Sequence, residues 1–213
     1  MRKVVHGAWP AMLAVMDMEE KNNSYKLSVL QTINALILSE IKALIYPCEE
    51  VINLEKKQQS PFIKFLPLAT SIEFMGACYD EFPFDCTKET VKKIYEKRFN
   101  KALKELFDKK YHKFANADSK HYLYIGLRCG MVHQMRPGPG ILFTTRKESI
   151  EDNNPHLSID DDGGLILVLE DLYDDIEKAA NGLIRKFEEN KLSNKKGDQA
   201  FLKIKDYKKQ LIE

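Results

Sequence analysis

The sequence lacks the features that mark a membrane protein or a uniformly basic nucleic-acid-binding protein. No stretch approaches the roughly 20 consecutive apolar residues that a membrane-spanning helix needs. The 33 Lys and Arg residues are balanced by 32 Asp and Glu residues, so the net charge is +1. This balance excludes a strongly cationic surface over the whole protein, although it is compatible with a local basic patch. We therefore expect no membrane partner.

Cysteine is also scarce, with four residues in the chain: Cys48, Cys78, Cys86 and Cys129. No two of them have the C-x-x-C spacing of a zinc ribbon, and the histidines show no spacing typical of a metal site. A chain of 213 residues that is 44% hydrophobic can bury a core without a disulfide framework. We therefore expect reduced thiols in a cytoplasmic protein that holds no metal and no cofactor.

The first 23 residues resemble a secretory signal only superficially. They begin with two basic residues and a short apolar patch, but the patch contains Pro10 and runs directly into Asp17 and Glu19. No small-residue cleavage site follows it, so the pattern does not favour a signal peptide. We predict an N-terminal extension over residues 1–23, with Met16 or Met18 as alternative starts.

The rest of the chain is dominated by apolar residues at helical spacing. Five predicted helices span residues 24–45, 59–80, 86–111, 117–135 and 171–190. Ser24, Ser60 and Thr87 are expected to cap the first three, and Pro67 should kink the second or restart it. Basic residues on the third helix, Arg98 among them, are expected to form a solvated face, with phosphate contacts as the alternative. The helices should bury a common core that contains Leu30, Ile37, Leu66, Ile72, Ile94, Leu103 and Leu127.

The pattern changes between the fourth and fifth helices, at about residues 140–170. "GILFTT", "HLSID" and "LILVLE" are short β-rich segments, and the "DDGG" between the last two is typical of a hairpin turn. We therefore predict a mainly α protein: a helical bundle over residues 24–190 with a small antiparallel β-hairpin insertion after the fourth helix. The lysine-rich tail over residues 191–213 is either one more amphipathic helix or loosely attached.

The fourth helix carries the most informative stretch, "LRCGMVHQMRPGPG" over residues 127–140. Arg128 and His133 form an R-x-x-x-x-H motif just before Pro137 ends the helix. This motif, the surrounding "YLYIGLRCGMVHQ" and the helical order of the chain resemble the HEPN superfamily. Its hallmark is an arginine followed, after four to six residues, by a histidine.

The resemblance implies a compact helical bundle and a function in RNA metabolism. Many HEPN proteins are metal-independent endoribonucleases of toxin–antitoxin, abortive-infection and CRISPR systems, and they typically form homodimers in which two motifs face each other. Other members are inactive and bind nucleotides or protein partners. The resemblance therefore implies RNA as a substrate, a homodimer, and an antitoxin or regulatory protein as a partner.

The motif residues suit metal-free RNA cleavage, in which the ribose 2′-hydroxyl attacks the adjacent phosphorus. His133 can act as base or acid, because histidine changes its charge near neutral pH. Arg128 can bind the phosphate through two donors and stabilise the negative charge of the transition state. Arg136 and Tyr124 are the predicted substrate-binding residues. Tyr124 could stack on a base, with packing in the core as the alternative.

Two features of the motif leave alternatives open. Five residues of an α-helix turn through about 500°, which separates Arg128 and His133 by roughly 140° around the axis. Either the helix unwinds near Gly130, or two chains meet there and form a composite site. Active HEPN ribonucleases usually place Asn, Asp or His directly after the arginine, but here Cys129 follows, and it is a weak hydrogen-bond donor that is expected to pack into the bundle.

A purely structural role is the other interpretation of the motif. Arg128 and His133 could simply cap their own helix, where cations are favoured. The chain would then be an inactive helical interaction or nucleotide-binding module. A ribonuclease should expose both residues in a basic groove, whereas an interaction module should bury them or pair Arg128 with an acidic residue of the same chain.

Overall fold

The computed structural model describes residues 24–47, 61–87, 89–192, 196–197 and 200–205. These residues form a mainly helical fold with two small two-stranded sheets, so the prediction of a mainly α protein is confirmed. In chain order the elements are β1 (Ser24–Ser28), α1 (residues 29–45), α2 (Phe65–Tyr79), α3 (Ile94–Glu105), α4 (Tyr124–Gln134), β2 (Ile141–Thr144), α5 (Arg146–Glu151), β3 (Leu165–Val168), α6 (Leu169–Glu188) and β4 (Ala200–Lys205). The predicted extension over residues 1–23 and the predicted cap Ser60 lie outside the described residues.

The first helix begins at Val29 and not at Ser24, because Ser28 caps it. The Ser28 hydroxyl accepts a hydrogen bond from the Gln31 N–H, and the Gln31 side chain accepts one from the Ser28 N–H. Residues 24–28 instead form β1, which pairs antiparallel with β4 at the other end of the chain. Residues 200–205 therefore form a strand, and not part of the amphipathic helix that was one of the two predictions for the tail. Within α1, Ile33–Ile41 is wound as a π-helix.

Helix α2 lies at the centre of the fold and contacts α1, α3, α4 and α6. It follows a 3-10 helix, Pro61–Lys64, and continues unbroken through Pro67. Pro67 is tolerated because it lies in the first turn, where backbone N–H groups have no partner within the helix. The chain therefore changes from a 3-10 helix to an α-helix before Pro67, and the α-helix is not interrupted at Pro67.

The hydrophobic core combines side chains from all the longer helices and from β2 and β3. Of the seven residues predicted to share it, Ile37, Ile72, Leu103 and Leu127 belong to it. Ile94 is also fully buried, while Leu30 and Leu66 are partly buried and pack against the core. The apolar stripes of the sequence therefore identify the buried faces of the helices correctly.

The third helix departs from prediction at its start and at one basic residue. It begins at Ile94, after a series of turns, and not after Thr87. Arg98 lies on its buried face and is 4% exposed, so it does not belong to a solvated face. The helix packs closely on α2 here, because a Cβ at Gly76 would overlap the carbonyl oxygen of Arg98. Only glycine allows this approach.

Arg98 belongs to a buried charged cluster that also contains Asp80 and Lys196. Its Nε donates to Asp80 Oδ2 at 2.8 Å, and its remaining nitrogens donate to the carbonyls of residues 82, 83 and 84. Lys196 Nζ lies 2.7 Å from Asp80 Oδ1 and also donates to the carbonyls of Ala77 and Phe82. All three charged side chains are about 5% exposed or less. The cluster ties the segment after α6 to the C-terminal end of α2.

The β insertion is parallel and not the antiparallel hairpin that was predicted. β2 pairs with β3 in parallel register, Ile141 with Leu165 through Thr144 with Val168. The reason is α5, which carries the chain back between them and makes a β-α-β unit. The predicted turn exists, since the Gly163 N–H donates to the Asp160 carbonyl, but the antiparallel pairing beside it is a single bridge, Ile159 to Leu165. Among the described residues, none of the helices is both long and apolar enough to cross a membrane.

Candidate active site

The two motif residues meet on one face of α4, because α4 is a π-helix and not an α-helix. A π-helix closes its hydrogen bonds between residues five apart, so residues with this spacing lie on successive turns of one face. Arg128 and His133 have this spacing, and Arg128 Nη1 lies 3.3 Å from His133 Nε2. The separation expected on an α-helix does not arise. A single chain therefore brings both residues together without a local break at Gly130.

Helix α2 holds the arginine from the opposite side. Arg128 Nε donates to Glu73 Oε2 at 2.6 Å, and the two side chains are 12% and 19% exposed, respectively. Burial disfavours the charged guanidinium, but the hydrogen bond and the negative charge of Glu73 outweigh it and raise the pKa of Arg128. Within the described part of the chain, Arg128 Nη2 has no hydrogen-bond partner. The guanidinium is therefore fixed at one nitrogen and keeps donors for a ligand.

His133 lies at the exposed end of this group. A guanidinium only donates hydrogen bonds, so His133 Nε2 accepts from Arg128 when the imidazole is neutral and its proton is on Nδ1. Among the described residues, Nδ1 of His133 has no hydrogen-bond partner. The contact with Arg128 is long and exposed, so a ligand that binds the guanidinium can replace it.

Two tyrosines enclose the guanidinium. Its central carbon lies 5.5 Å from the ring centre of Tyr95 on α3 and 5.8 Å from that of Tyr124 on α4. The Tyr124 ring also packs edge-on against Phe99, so it contacts both the core and the arginine. Burial, followed by the neighbouring Cys129 thiol, raises the pKa of Tyr124 to about 12. Cys129 is half-buried beside Tyr124.

The turn after α4 accounts for Gly130 within one chain. Met135 takes a left-handed conformation with φ of 56° and ends the helix, and residues 136–138 fold back over it. A Cβ on Gly130 would lie 2.6 Å from the Arg136 carbonyl oxygen and 2.7 Å from the Gly138 nitrogen. Gly130 is therefore required by this turn and is covered by it. Arg136 itself is exposed, and its Nε donates to the Gln134 side chain at 3.1 Å.

The sequence motif missed Glu73 and Tyr95, which come from two other helices. Glu73 had a usable signal, since it is the only charged residue in the apolar segment Phe65–Tyr79. A single carboxylate on a buried helix needs a cationic partner or water. Tyr95 had no comparable signal, because it looks like one more member of the apolar stripe of α3.

A second polar network lies away from the motif, around His156. His156 Nδ1 accepts from the Val168 N–H, and its Nε2 is 2.8 Å from the Tyr111 hydroxyl, which donates to Asp175. Burial lowers the pKa of His156 to about 4, so it is neutral at physiological pH. In the described part of the chain no group of three His, Cys, Asp or Glu side chains could hold a metal ion.

Comparison with known proteins gives no relative from which a function could be transferred. No protein-family model, no curated protein and no solved structure matches the chain. The arrangement of Glu73, Arg128 and His133, which we call the motif cluster, is therefore interpreted from its own chemistry. It combines a carboxylate, a fixed cation and an exposed imidazole.

Proposed function

We propose that the chain is a HEPN-like, metal-independent endoribonuclease that cleaves RNA by attack of the ribose 2′-hydroxyl. The observation that carries this proposal is the contact of 3.3 Å between Arg128 and His133, at a surface where both keep hydrogen-bonding groups without a partner in the described part of the chain. A phosphate needs paired donors, and the reaction needs a group that can transfer protons near neutral pH. The motif cluster supplies both within one chain.

The proposed roles follow from the contacts of each side chain. Arg128 binds the scissile phosphate with the donors that Glu73 leaves free, and stabilises the charge that grows on its oxygens. His133 transfers a proton to or from the reacting oxygens. Arg136, exposed at the end of α4, contacts the RNA backbone on the next nucleotide. Tyr124, half-buried beside Arg128, offers a ring face on which a base stacks.

The cellular role that we propose comes from the resemblance to the HEPN superfamily. We propose a helical bundle of the HEPN kind, a cytoplasmic protein of a toxin–antitoxin or defence system, and an antitoxin or regulatory protein as its partner.

A homodimer is also part of this proposal. The two sequence features that favoured a dimer, the angle around the helix axis and the close backbone approach that Gly130 permits, are both accounted for inside one chain. Sedimentation at micromolar concentration would show a dimer, and a monomer there would contradict it.

An inactive interaction or nucleotide-binding module is the second candidate, and one observation favours it. Arg128 is paired with Glu73 of the same chain and is 12% exposed, as expected for a structural ion pair. Nη2, which has no partner among the described residues, and the exposed His133 have no role in such a pair. These two unused groups are the reason that we place the enzyme first.

The deciding experiment compares the wild-type protein with His133→Ala on a mixed RNA substrate in EDTA. The wild type should cleave and leave a 2′,3′-cyclic phosphate, and His133→Ala should be slower by a factor of ~10²–10⁴. His121→Ala is the matched control, because its imidazole bonds to the Gly163 carbonyl and, among the described residues, makes no hydrogen bond to the motif cluster. Equal cleavage by wild type and His133→Ala would place the activity elsewhere. Absence of cleavage in both would favour the inactive module.

A further inference from the structure

We infer that Glu73 is the general base and His133 the general acid of a site built entirely within one chain, with Arg128 held between them. The inference rests on the proposed ribonuclease function. Its basis is that both groups touch the same guanidinium, Glu73 Oε2 at Nε and His133 Nε2 at Nη1. A phosphate bound to the remaining nitrogen, Nη2, would lie on a guanidinium that a carboxylate and an imidazole both contact.

Glu73 is suited to take a proton because only half of its carboxylate is engaged. Oε2 accepts from Arg128, and within the described part of the chain Oε1 has no hydrogen-bond partner. The side chain is 19% exposed, so solvent and substrate can reach it. An ionised carboxylate only accepts hydrogen bonds, and a ribose hydroxyl can donate one to Oε1. A geometry of this kind fits a base better than a buried counter-ion.

His133 is suited to the other role because its contact with Arg128 is replaceable. When the phosphate takes the donors of Nη1 and Nη2, Nε2 loses the bond of 3.3 Å and is free to carry a proton. A bound phosphate also favours a positively charged imidazole beside it. The histidine then faces the leaving oxygen as an acid.

The step balances with these two side chains alone. Glu73 Oε1 takes the proton of the 2′-hydroxyl, and the 2′ oxygen forms a bond to phosphorus. The bond from phosphorus to the 5′ oxygen breaks, and that oxygen takes a proton from the His133 imidazolium. The products are a 2′,3′-cyclic phosphate and a 5′-hydroxyl, and proton exchange with water restores both side chains. No metal, oxidant or reductant takes part.

The first test uses an RNA in which sulfur replaces the 5′ bridging oxygen at one linkage. A thiolate leaves without protonation, since thiols are far stronger acids than alcohols. We expect Glu73→Gln and His133→Ala each to slow cleavage of the ordinary RNA by ~10²–10⁴. On the sulfur substrate His133→Ala should recover to within about tenfold of wild type, and Glu73→Gln should not recover.

The outcomes separate the inference from the function on which it rests. If the wild type cleaves neither RNA, the ribonuclease function itself is wrong. If the wild type cleaves and Glu73→Gln cleaves equally well, or if sulfur rescues Glu73→Gln instead of His133→Ala, the assignment of base and acid is overturned. Glu73→Gln keeps the size of the side chain and one acceptor oxygen, and circular dichroism of this variant should match the wild type.

The second test asks whether one chain is sufficient, by co-expressing Glu73→Gln with His133→Ala. If the acid and base came from two chains, half of the dimers would be mixed with one intact site each, and about a quarter of the wild-type activity would return. A site within one chain predicts that no activity returns, because every chain lacks one of its two groups. Recovery near a quarter would therefore overturn the single-chain site while leaving the ribonuclease function intact.

Discussion

Two carboxylates, Glu73 on helix α2 and Asp80 directly after its end, each hold an arginine of another helix, and the two pairs differ in what they leave unused. Asp80 and Arg98 are both about 5% exposed, and every guanidinium nitrogen of Arg98 has a hydrogen-bond partner. Glu73 and Arg128 are 19% and 12% exposed, and among the described residues Nη2 of Arg128 has none. A saturated pair indicates a structural role, while an unsaturated pair next to an exposed histidine indicates a ligand site.

The surroundings of the two pairs follow the same division. Asp80 binds a second cation, Lys196, so that the buried cluster joins α2, α3 and the segment after α6. Arg128 instead has aromatic rings on its faces and His133 at its outer end. Substitutions should therefore affect stability at the first pair and catalysis at the second. Of the four predictions that follow, three test this division and one concerns the separate network of His156, and they run from the largest expected effect to the smallest.

Asp80→Ala should destabilise the fold by about 3–5 kcal/mol, because it removes the carboxylate that the buried cations Arg98 and Lys196 both contact. Urea unfolding followed by circular dichroism measures the change. Asp85→Ala is the control, since Asp85 is exposed nearby in the chain and its loss should change stability by less than about 0.5 kcal/mol. Equal stability of Asp80→Ala and wild type would mean that this buried cluster has no structural role.

Arg128→Ala should have the opposite profile and reduce RNA cleavage by ~10²–10³ while the fold persists. The reason is that Glu73, being partly exposed, can bind water when the guanidinium is removed, so the loss of stability should stay near 1 kcal/mol. Initial rates on a labelled RNA in EDTA measure the effect. Arg185→Ala on the exposed face of α6 is the control and should leave the rate unchanged. A loss of stability as large as that of Asp80→Ala would show that Arg128 is structural too.

The buried His156 should make stability depend on pH without involving the motif cluster. Burial lowers its pKa from 6.5 to about 4, so the folded state favours neutral His156. The unfolded state then binds more protons between these values, and the stabilisation is complete above pH 6.5 and is lost as the pH falls towards 4. This loss amounts to about 3 kcal/mol. Unfolding at pH 7 and pH 4 measures it, and His156→Asn should reduce the difference by that amount. If the difference in stability between pH 7 and pH 4 were the same in His156→Asn as in wild type, His156 would not be its cause.

The fold could be predicted from sequence where the signal is local, and not where it depends on distant pairing. The apolar stripes identified Ile72, Leu103 and Leu127 as core residues because helix periodicity is written into neighbouring residues. The pairing of β1 with β4 and the parallel pairing of β2 with β3 depend on where the chain returns. Short apolar segments carry no record of that direction, so both were missed.

The candidate site shows the same limit. Arg128 and His133 are five residues apart and could be found together, but their contact depends on π-helical winding, which no residue of the motif specifies. Arg98 lies in a helical segment with basic neighbours, and Arg128 lies in one with apolar neighbours. The sequence did not show that Arg98 is the more deeply buried of the two. Their carboxylate partners, Asp80 and Glu73, decide this, and they become visible only when α2 is placed against α3 and α4.

The smallest predicted effect concerns Cys129, the residue at which the motif departs from active HEPN ribonucleases. Cys129 is half-buried beside Tyr124, and a thiol is a weak donor and acceptor. An amide at this position would make a stronger hydrogen bond to the Tyr124 hydroxyl, which contacts the guanidinium of Arg128 through its ring. One additional hydrogen bond is worth about 1 kcal/mol, so Cys129→Asn should raise the cleavage rate about fivefold. Cys129→Ser tests size, because the smaller hydroxyl should not reach as far and should leave the rate within about twofold. Equal rates for Cys129→Asn and wild type would mean that the cysteine does not limit the motif cluster, and that the difference between the two arginines lies in Glu73 and His133 alone.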